Sequence, residues 1–191
     1  MKLITVTVCL IALSDSSWSS ELTKAVLHSN DLIDIYPKLK GTRYDVVTVE
    51  QVPDRLFAII LSRKATDEEW KALSHYSNLA DAGASLDFMH SCFKALKRNP
   101  MIFYDRFMRG DNTALQWMRD ALGDDFAAYE PLTKTGYEEH ERFYERILRK
   151  IDDKRAKLSR DGLKRHEELM RDARHHFEDW KTRYREKASV K

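Results

Sequence analysis

Between Ala65 and Tyr104 the chain reads ATDEEWKALSHYSNLADAGASLDFMHSCFKALKRNPMIFY, a run that holds a helix start signal, two amphipathic segments and a proline-marked joint. Thr66-Asp67-Glu68-Glu69 has capping-box spacing: the threonine oxygen accepts from a free amide one turn on, and Glu69 reaches back to the Thr66 amide. The helix it starts is predicted to run to about Ala80. Gly83 is read as its end and Ser85 as the cap of the next helix, where Leu86, Met89, Phe93 and Leu96 follow at helical spacing beside a second stripe of Phe88, Cys92 and Ala95. Asn99-Pro100 closes that helix and opens another, with Pro100 where a missing amide costs nothing. Such a middle commits the chain to helix packing.

Upstream, Lys2 forms a short basic region, Leu3 to Leu13 an apolar run, and Ser17 and Ser19 supply small residues, so residues 1–19 read as a secretory signal peptide cleaved after Ser19. A bilayer-spanning helix needs about 20 apolar residues, more than this run offers. The product is expected to be secreted and extracellular. Residues 20–49 read as an N-terminal arm, weakly helical from Glu21 to about Tyr36, broken by Pro37 and Gly41, with a β-favouring patch from Tyr44 to Val49. The main domain is expected over 50–191. Its first helix spans Arg55 to Ser62, with Leu56, Ile59, Ile60 and Leu61 on one face and Pro53 at the first turn.

Downstream, Phe103 pairs with Phe107 and Tyr104 with Met108, each four apart, before a break at Gly110-Asp111. Ala114 to Leu122 carries two stripes and stops at Gly123, and Asp124 caps a short segment ending near Pro131. Thr135-Gly136-Tyr137-Glu138 is a second capping-box pattern, opening two long helices over about 136–157 and 160–187, with Ser159 as the cap between them. Leu163, His166, Met170, Ala173, Phe177, Trp180 and Tyr184 form one narrow seam, which suits an antiparallel hairpin or an exposed arm. No period-2 series marks a sheet. The predicted fold class is all-α, a single multi-helix bundle.

Stability must come from packing. Cys9 leaves with the signal, so Cys92 has no internal disulfide partner. With 42% hydrophobic residues there is enough apolar material for a core, and a formal net charge of +2 argues against nucleic acid as the main partner. No Asn-x-Ser/Thr glycosylation acceptor occurs.

Candidate chemistry is sparse. Asp87-x-x-His90 and Asp172-x-x-His175 each place a carboxylate and an imidazole one helical turn apart, but the paired Glu-x-x-His and further inward carboxylates of di-metal bundles are missing, so no metal site is expected. Cys92 lies in an apolar stripe and reads as an inert thiol. Without a Gly-x-Ser-x-Gly, His-Glu-x-x-His or phosphate-binding glycine loop, catalysis is not expected. Basic residues of the last two helices, including Arg146, Arg149, Lys150, Lys154, Arg155, Lys157, Lys164 and Arg165, are interleaved with acids, which fits a solvated face and also allows an anionic partner. The broad apolar faces of 86–98, 100–109 and 112–122, with Met89, Met101, Met108 and Met118, fit either a filled core or the lining of an apolar cavity.

Val52-Pro53 before an amphipathic helix, Ala-Thr-Asp-Glu-Glu at 65–69 with Leu73 beyond, Ala95-Leu96-Lys97 followed by Pro100 and Phe103-Tyr104, and Asp120-Ala121-Leu122-Gly123 with Phe126 and Ala127 form a set of modest motifs. In these the chain resembles the secreted fatty acid- and retinol-binding proteins of nematodes, over about residues 52–158. It departs in its longer arm, its long charged final helix and Trp70, Trp117 and Trp180, so it reads as a divergent member. The resemblance implies a flattened helical bundle around an internal apolar cavity that carries fatty acids and retinol without a cofactor, and a kinase site at Thr66, residues the capping box also explains. The expected partners are small apolar lipids, with transient membrane contact. The lining expected on this reading is Leu56, Ile60, Leu73, Leu86, Met89, Phe93, Leu96, Phe103, Phe107, Leu115, Met118, Leu122, Phe126 and Ile147, with Lys94, Lys97, Arg106 or Arg109 near a ligand carboxylate. The competing expectation is a secreted interaction protein that meets a protein partner or an anionic surface through its charged C-terminal helices.

Overall fold

The computed structural model describes residues 20–62, 64–122 and 133–189. The expected signal peptide, the stop at Gly123 and the short segment that includes Phe126 lie outside them. Among the described residues every regular element is helical: α1 (residues 20–27), α2 (Ile35–Leu39), α3 (Val52–Ser62), α4 (Asp67–Leu79), α5 (Ala82–Arg98), α6 (Met101–Met108), α7 (Asn112–Leu122), α8 (Lys134–Asp152) and α9 (Arg160–Ser189), with 3-10 turns at Val49–Gln51 and Arg155–Lys157. The chain divides into two compact units, one ending at Ser91 and the other beginning at Cys92.

In the first unit the residues expected to form an arm are part of the core. Leu22, Val26, Ile35, Leu39, Val47 and Val49 are buried with Leu56, Phe57, Ile60, Leu73, Tyr76 and Phe88. Polar ties hold them there: the His75 Nε2–H donates to the Ser29 carbonyl at 2.8 Å, and the Val49 amide donates to the Tyr36 hydroxyl at 3.0 Å. Pro37 does not break the chain as expected. It lies in the first turn of α2, where amides have no intrahelical partner in any case, and Gly41, at φ +76°, follows the helix in the left-handed region. Within the expected extended patch, Tyr44 to Val46 form a turn closed by Val47 N–H to the Tyr44 carbonyl at 2.9 Å, and Val49 enters the 3-10 turn, because β propensity is realised only beside a partner strand.

The Thr66 capping box is complete, with Thr66 N–H donating to Glu69 Oε2 at 2.8 Å and Glu69 N–H to Thr66 Oγ1 at 3.3 Å. By contrast α5 starts at Ala82, ahead of the expected Ser85 cap. Asp81 accepts from the Ala84 amide at 3.2 Å, so Gly83 falls within the first turn and does not stop a helix. Tyr76 donates to the Val49 carbonyl at 3.0 Å and stacks on Phe88 at 6.0 Å, joining α4, α5 and the first 3-10 turn.

In the second unit Asn99 caps α6 through the Met101 amide at 3.2 Å, and Asp111, after Gly110 at φ +97°, caps α7 through the Ala114 amide at 3.0 Å. The cap of α8 is Thr133 and not Thr135. Its oxygen accepts from the Gly136 amide at 3.1 Å, and with glycine at that position no side chain can reach back to complete a box. Ser159 caps α9 as expected, through the Gly162 amide at 3.2 Å. Partners along α8 and α9 run in opposite directions, from Asp152 with His166, through Tyr144 with Phe177, to Tyr137 with Tyr184. The first turn of α9 lies close against α6, since a Cβ on Gly162 would meet Met108 Cε at 2.9 Å.

Candidate functional site

The most concentrated chemistry lies in the second unit, where the N-terminal half of α8 meets the C-terminal half of α9. Along α8, Tyr137, His140, Tyr144, Ile147 and Ile151 recur every three or four residues, so they share one face; along α9, Phe177, Trp180 and Tyr184 do the same. The rings stack. Tyr137 stacks on both Trp180, at 4.8 Å and 5°, and Tyr184, at 4.1 Å and 23°. His140 stacks on Trp180 at 5.7 Å and on Phe93 of α5 at 6.1 Å, and Tyr144 stacks on Phe177 at 5.1 Å. Phe93 meets Phe143 edge-on at 5.2 Å.

Two polar features stand out here. The Tyr144 hydroxyl donates to the Leu122 carbonyl at the end of α7, supplying a partner to a carbonyl that the helix leaves open. The Trp180 indole is 4% exposed, and its N–H meets no hydrogen-bond acceptor among the described residues. Cations sit on the outer rings: Lys97 5.9 Å from the Phe93 centroid, Arg146 5.9 Å from Phe143, and Lys181 4.5 Å from Phe177.

The sequence-expected lining residues are divided between the two units. In the first, Leu56, Ile60 and Leu73 are buried, Met89 is half-buried and Leu86 is 50% exposed. In the second, Phe93, Leu96, Phe103, Phe107, Met118, Leu122 and Ile147 are buried and Leu115 is half-buried. Phe93 joins the aromatic stack directly, and Phe107 carries the Arg165 guanidinium 4.9 Å from its centroid. Of the cations expected near a carboxylate, Lys97 lies over Phe93, Arg106 pairs with Asp111 at 3.2 Å, and Lys94 and Arg109 are exposed. The stack partners Tyr137, His140, Phe143 and Tyr144 were not among the expected residues. Their signal was present as an α8 stripe facing the α9 seam.

A second polar line runs through the same unit. The Asp152 carboxylate only accepts, so His166 Nε2 carries a proton toward it at 3.1 Å, and Nδ1 then accepts from the Tyr104 hydroxyl at 3.2 Å. Burial first, then the charges of Asp105 and Asp152, push the Tyr104 hydroxyl up to about 12. Burial likewise raises the Cys92 thiol well above its ordinary range, with Asp120 adding to it, so this sulfur is protonated and a poor nucleophile.

The acid–imidazole pairs stay apart from any cluster: Asp87 and His90 are exposed, and Asp172 binds Arg119 at 2.5 Å. Among the described residues no group of three or more His, Cys, Asp or Glu is placed to hold a metal ion, and no helix is long and apolar enough to cross a membrane. Comparison with known proteins finds no matching family model, curated protein or solved structure.

Proposed function

We propose that the protein is a secreted carrier of apolar lipids, fatty acids and retinol, which it binds without catalysis. The observation that carries this reading is the aromatic stack around Trp180: flat, apolar ring faces continuous with the expected lining residue Phe93, together with a buried donor that has no described acceptor. In this reading α8 and α9 form a long hairpin whose inner face borders an internal cavity in the second unit. The motif likeness to nematode fatty acid- and retinol-binding proteins supports the same ligand class.

Affinity needs little polar help. Burying about a dozen methylenes at roughly 0.8 kcal/mol each yields on the order of 10 kcal/mol before association costs, and micromolar binding needs about 8 kcal/mol. Titration of delipidated protein with retinol and with a fluorescent fatty acid tests the reading. Saturable, blue-shifted ligand emission with energy transfer from tryptophan is expected, and flat titrations with both ligands would reject it.

One observation favours a second reading, contact with an anionic surface. Residues 149–165 hold eight basic and three acidic side chains, a net of +5 in a chain of +2, so the remainder sums to −3. Lys154, Arg155 and Lys157 are exposed at the turn between α8 and α9. Reversing these three to glutamate should abolish binding to anionic vesicles at low salt while leaving lipid uptake intact.

A further inference from the structure

We propose that Trp180 anchors the polar end of the bound lipid through its indole N–H, and that the lipid so selected carries an uncharged oxygen acceptor, a hydroxyl or a carbonyl, in preference to an ionised carboxylate. This rests on the carrier reading above and adds to it a named residue and a selectivity.

An indole nitrogen is a donor only, and a buried donor left without an acceptor is costly, so buried Trp N–H groups normally find a partner. Trp180 is 4% exposed and its N–H meets no acceptor among the described residues. Phenylalanine would fill the same stack without that cost. The N–H also lies in the ring plane, while Tyr137 at 5°, Phe177 at 17° and His140 at 19° lie nearly parallel to that plane. The missing acceptor must therefore approach at the rim of the stack, where an elongated apolar molecule lying along the rings would present its terminal oxygen.

The preference for a neutral oxygen follows from charge. Trp180 supplies one uncharged donor, which satisfies a hydroxyl or carbonyl but does little to offset the dehydration of a carboxylate. The nearest cation over the stack, Lys181, is committed to Glu178 at 2.5 Å and to the Phe177 face. The cations over Phe93 and Phe143, Lys97 and Arg146, belong to exposed residues.

The test compares wild-type protein with Trp180→Phe, which keeps an aromatic ring and removes the donor. Affinities are measured for retinol and for a long-chain alcohol and fatty acid of equal chain length, each competing with a fluorescent probe. The expected result is that Trp180→Phe weakens retinol and the alcohol about tenfold and the acid less than twofold. In parallel, the indole N–H resonance of Trp180 in labelled wild type, assigned by through-bond correlation to its own backbone, should move downfield when retinol is added. Should the variant fail to fold, the wild-type resonance decides alone, and a resonance unmoved at saturating retinol overturns the anchor. Equal affinities in the two proteins would overturn it too, while leaving carriage standing. Equal losses for alcohol and acid would show a packing role and overturn the selectivity. Wild-type protein that binds none of the lipids would remove the carrier reading, and this inference with it.

Discussion

Thr66 and Tyr104 show what single side chains contribute. Thr66 satisfies the Glu69 amide at the start of α4, and Glu69, itself only 3% exposed, returns the bond. Thr66→Ala should therefore cost about 1 kcal/mol, read as a lower urea midpoint with unchanged slope, and Thr66→Ser should restore most of it. Tyr104 governs behaviour in alkali. Its hydroxyl is held up to about 12 in the fold, against about 10 in an unfolded chain. Below pH 10 both states keep the proton and the contribution is constant. Between 10 and 12 only the unfolded chain releases it, so stability must fall as pH rises through that window. Urea midpoints at pH 8 and pH 11 should differ less in Tyr104→Phe than in wild type. Part of the slope will remain, because burial also raises the Tyr76 hydroxyl. At this scale legibility depends on reciprocity. Four residues sufficed to read the Thr66 box, since both halves of the exchange are written in the sequence. The Thr133 cap escaped because its partner position is a glycine and a competing Thr-x-x-Glu pattern begins two residues later.

At the scale of elements, periodicity identified the helices from α3 onward, because an apolar stripe at helical spacing reports the face a helix will bury. It could not report which stripes would face each other. The α8 stripe and the α9 seam were both legible, yet their meeting as one aromatic stack depends on the register of two helices joined through the turn at Arg155–Lys157. The β-favouring patch failed for a related reason. Tyr44 to Val49 has strand-like composition, but among the described residues it meets no partner strand, and its backbone runs from a turn at Tyr44 to Val46 into the 3-10 turn at Val49. The stack makes α9 part of the core and not a detachable appendage: Leu169, Met170, Ala173, Phe177 and Trp180 are all buried. Phe177→Ala should cost about 3–5 kcal/mol, measured by chemical denaturation followed through far-UV circular dichroism.

For the molecule as a whole, all-helical character was readable and the division into units was not. The boundary between Ser91 and Cys92 falls within α5, whose two apolar stripes continue without any change of composition, so nothing local marks it. Each unit nevertheless has its own buried residues, Leu73 and Tyr76 in one, Ile147 and Phe177 in the other. The expected lining set is split by the same boundary, because spacing along a helix names a face but not the body that face serves. Leu73→Ala, a loss of about 2–5 kcal/mol of packing, should raise hydrogen exchange in α3 and α4 well above that in α8 and α9. Uniform loss of protection across all four helices would show one cooperative body.

Cys92 begins the second unit, fully buried, with its thiol held in the unreactive protonated form. In the secreted product proposed above, from which Cys9 would be cleaved with the signal peptide, it is the only sulfhydryl. The fold thus carries its own stopwatch: a disulfide reagent in solution can mark this atom only during the intervals when α5 breathes. The rate of modification, followed against urea concentration, should time those openings, and on the proposed carrier reading a lipid bound against Phe93 should slow the clock at the neighbouring residue.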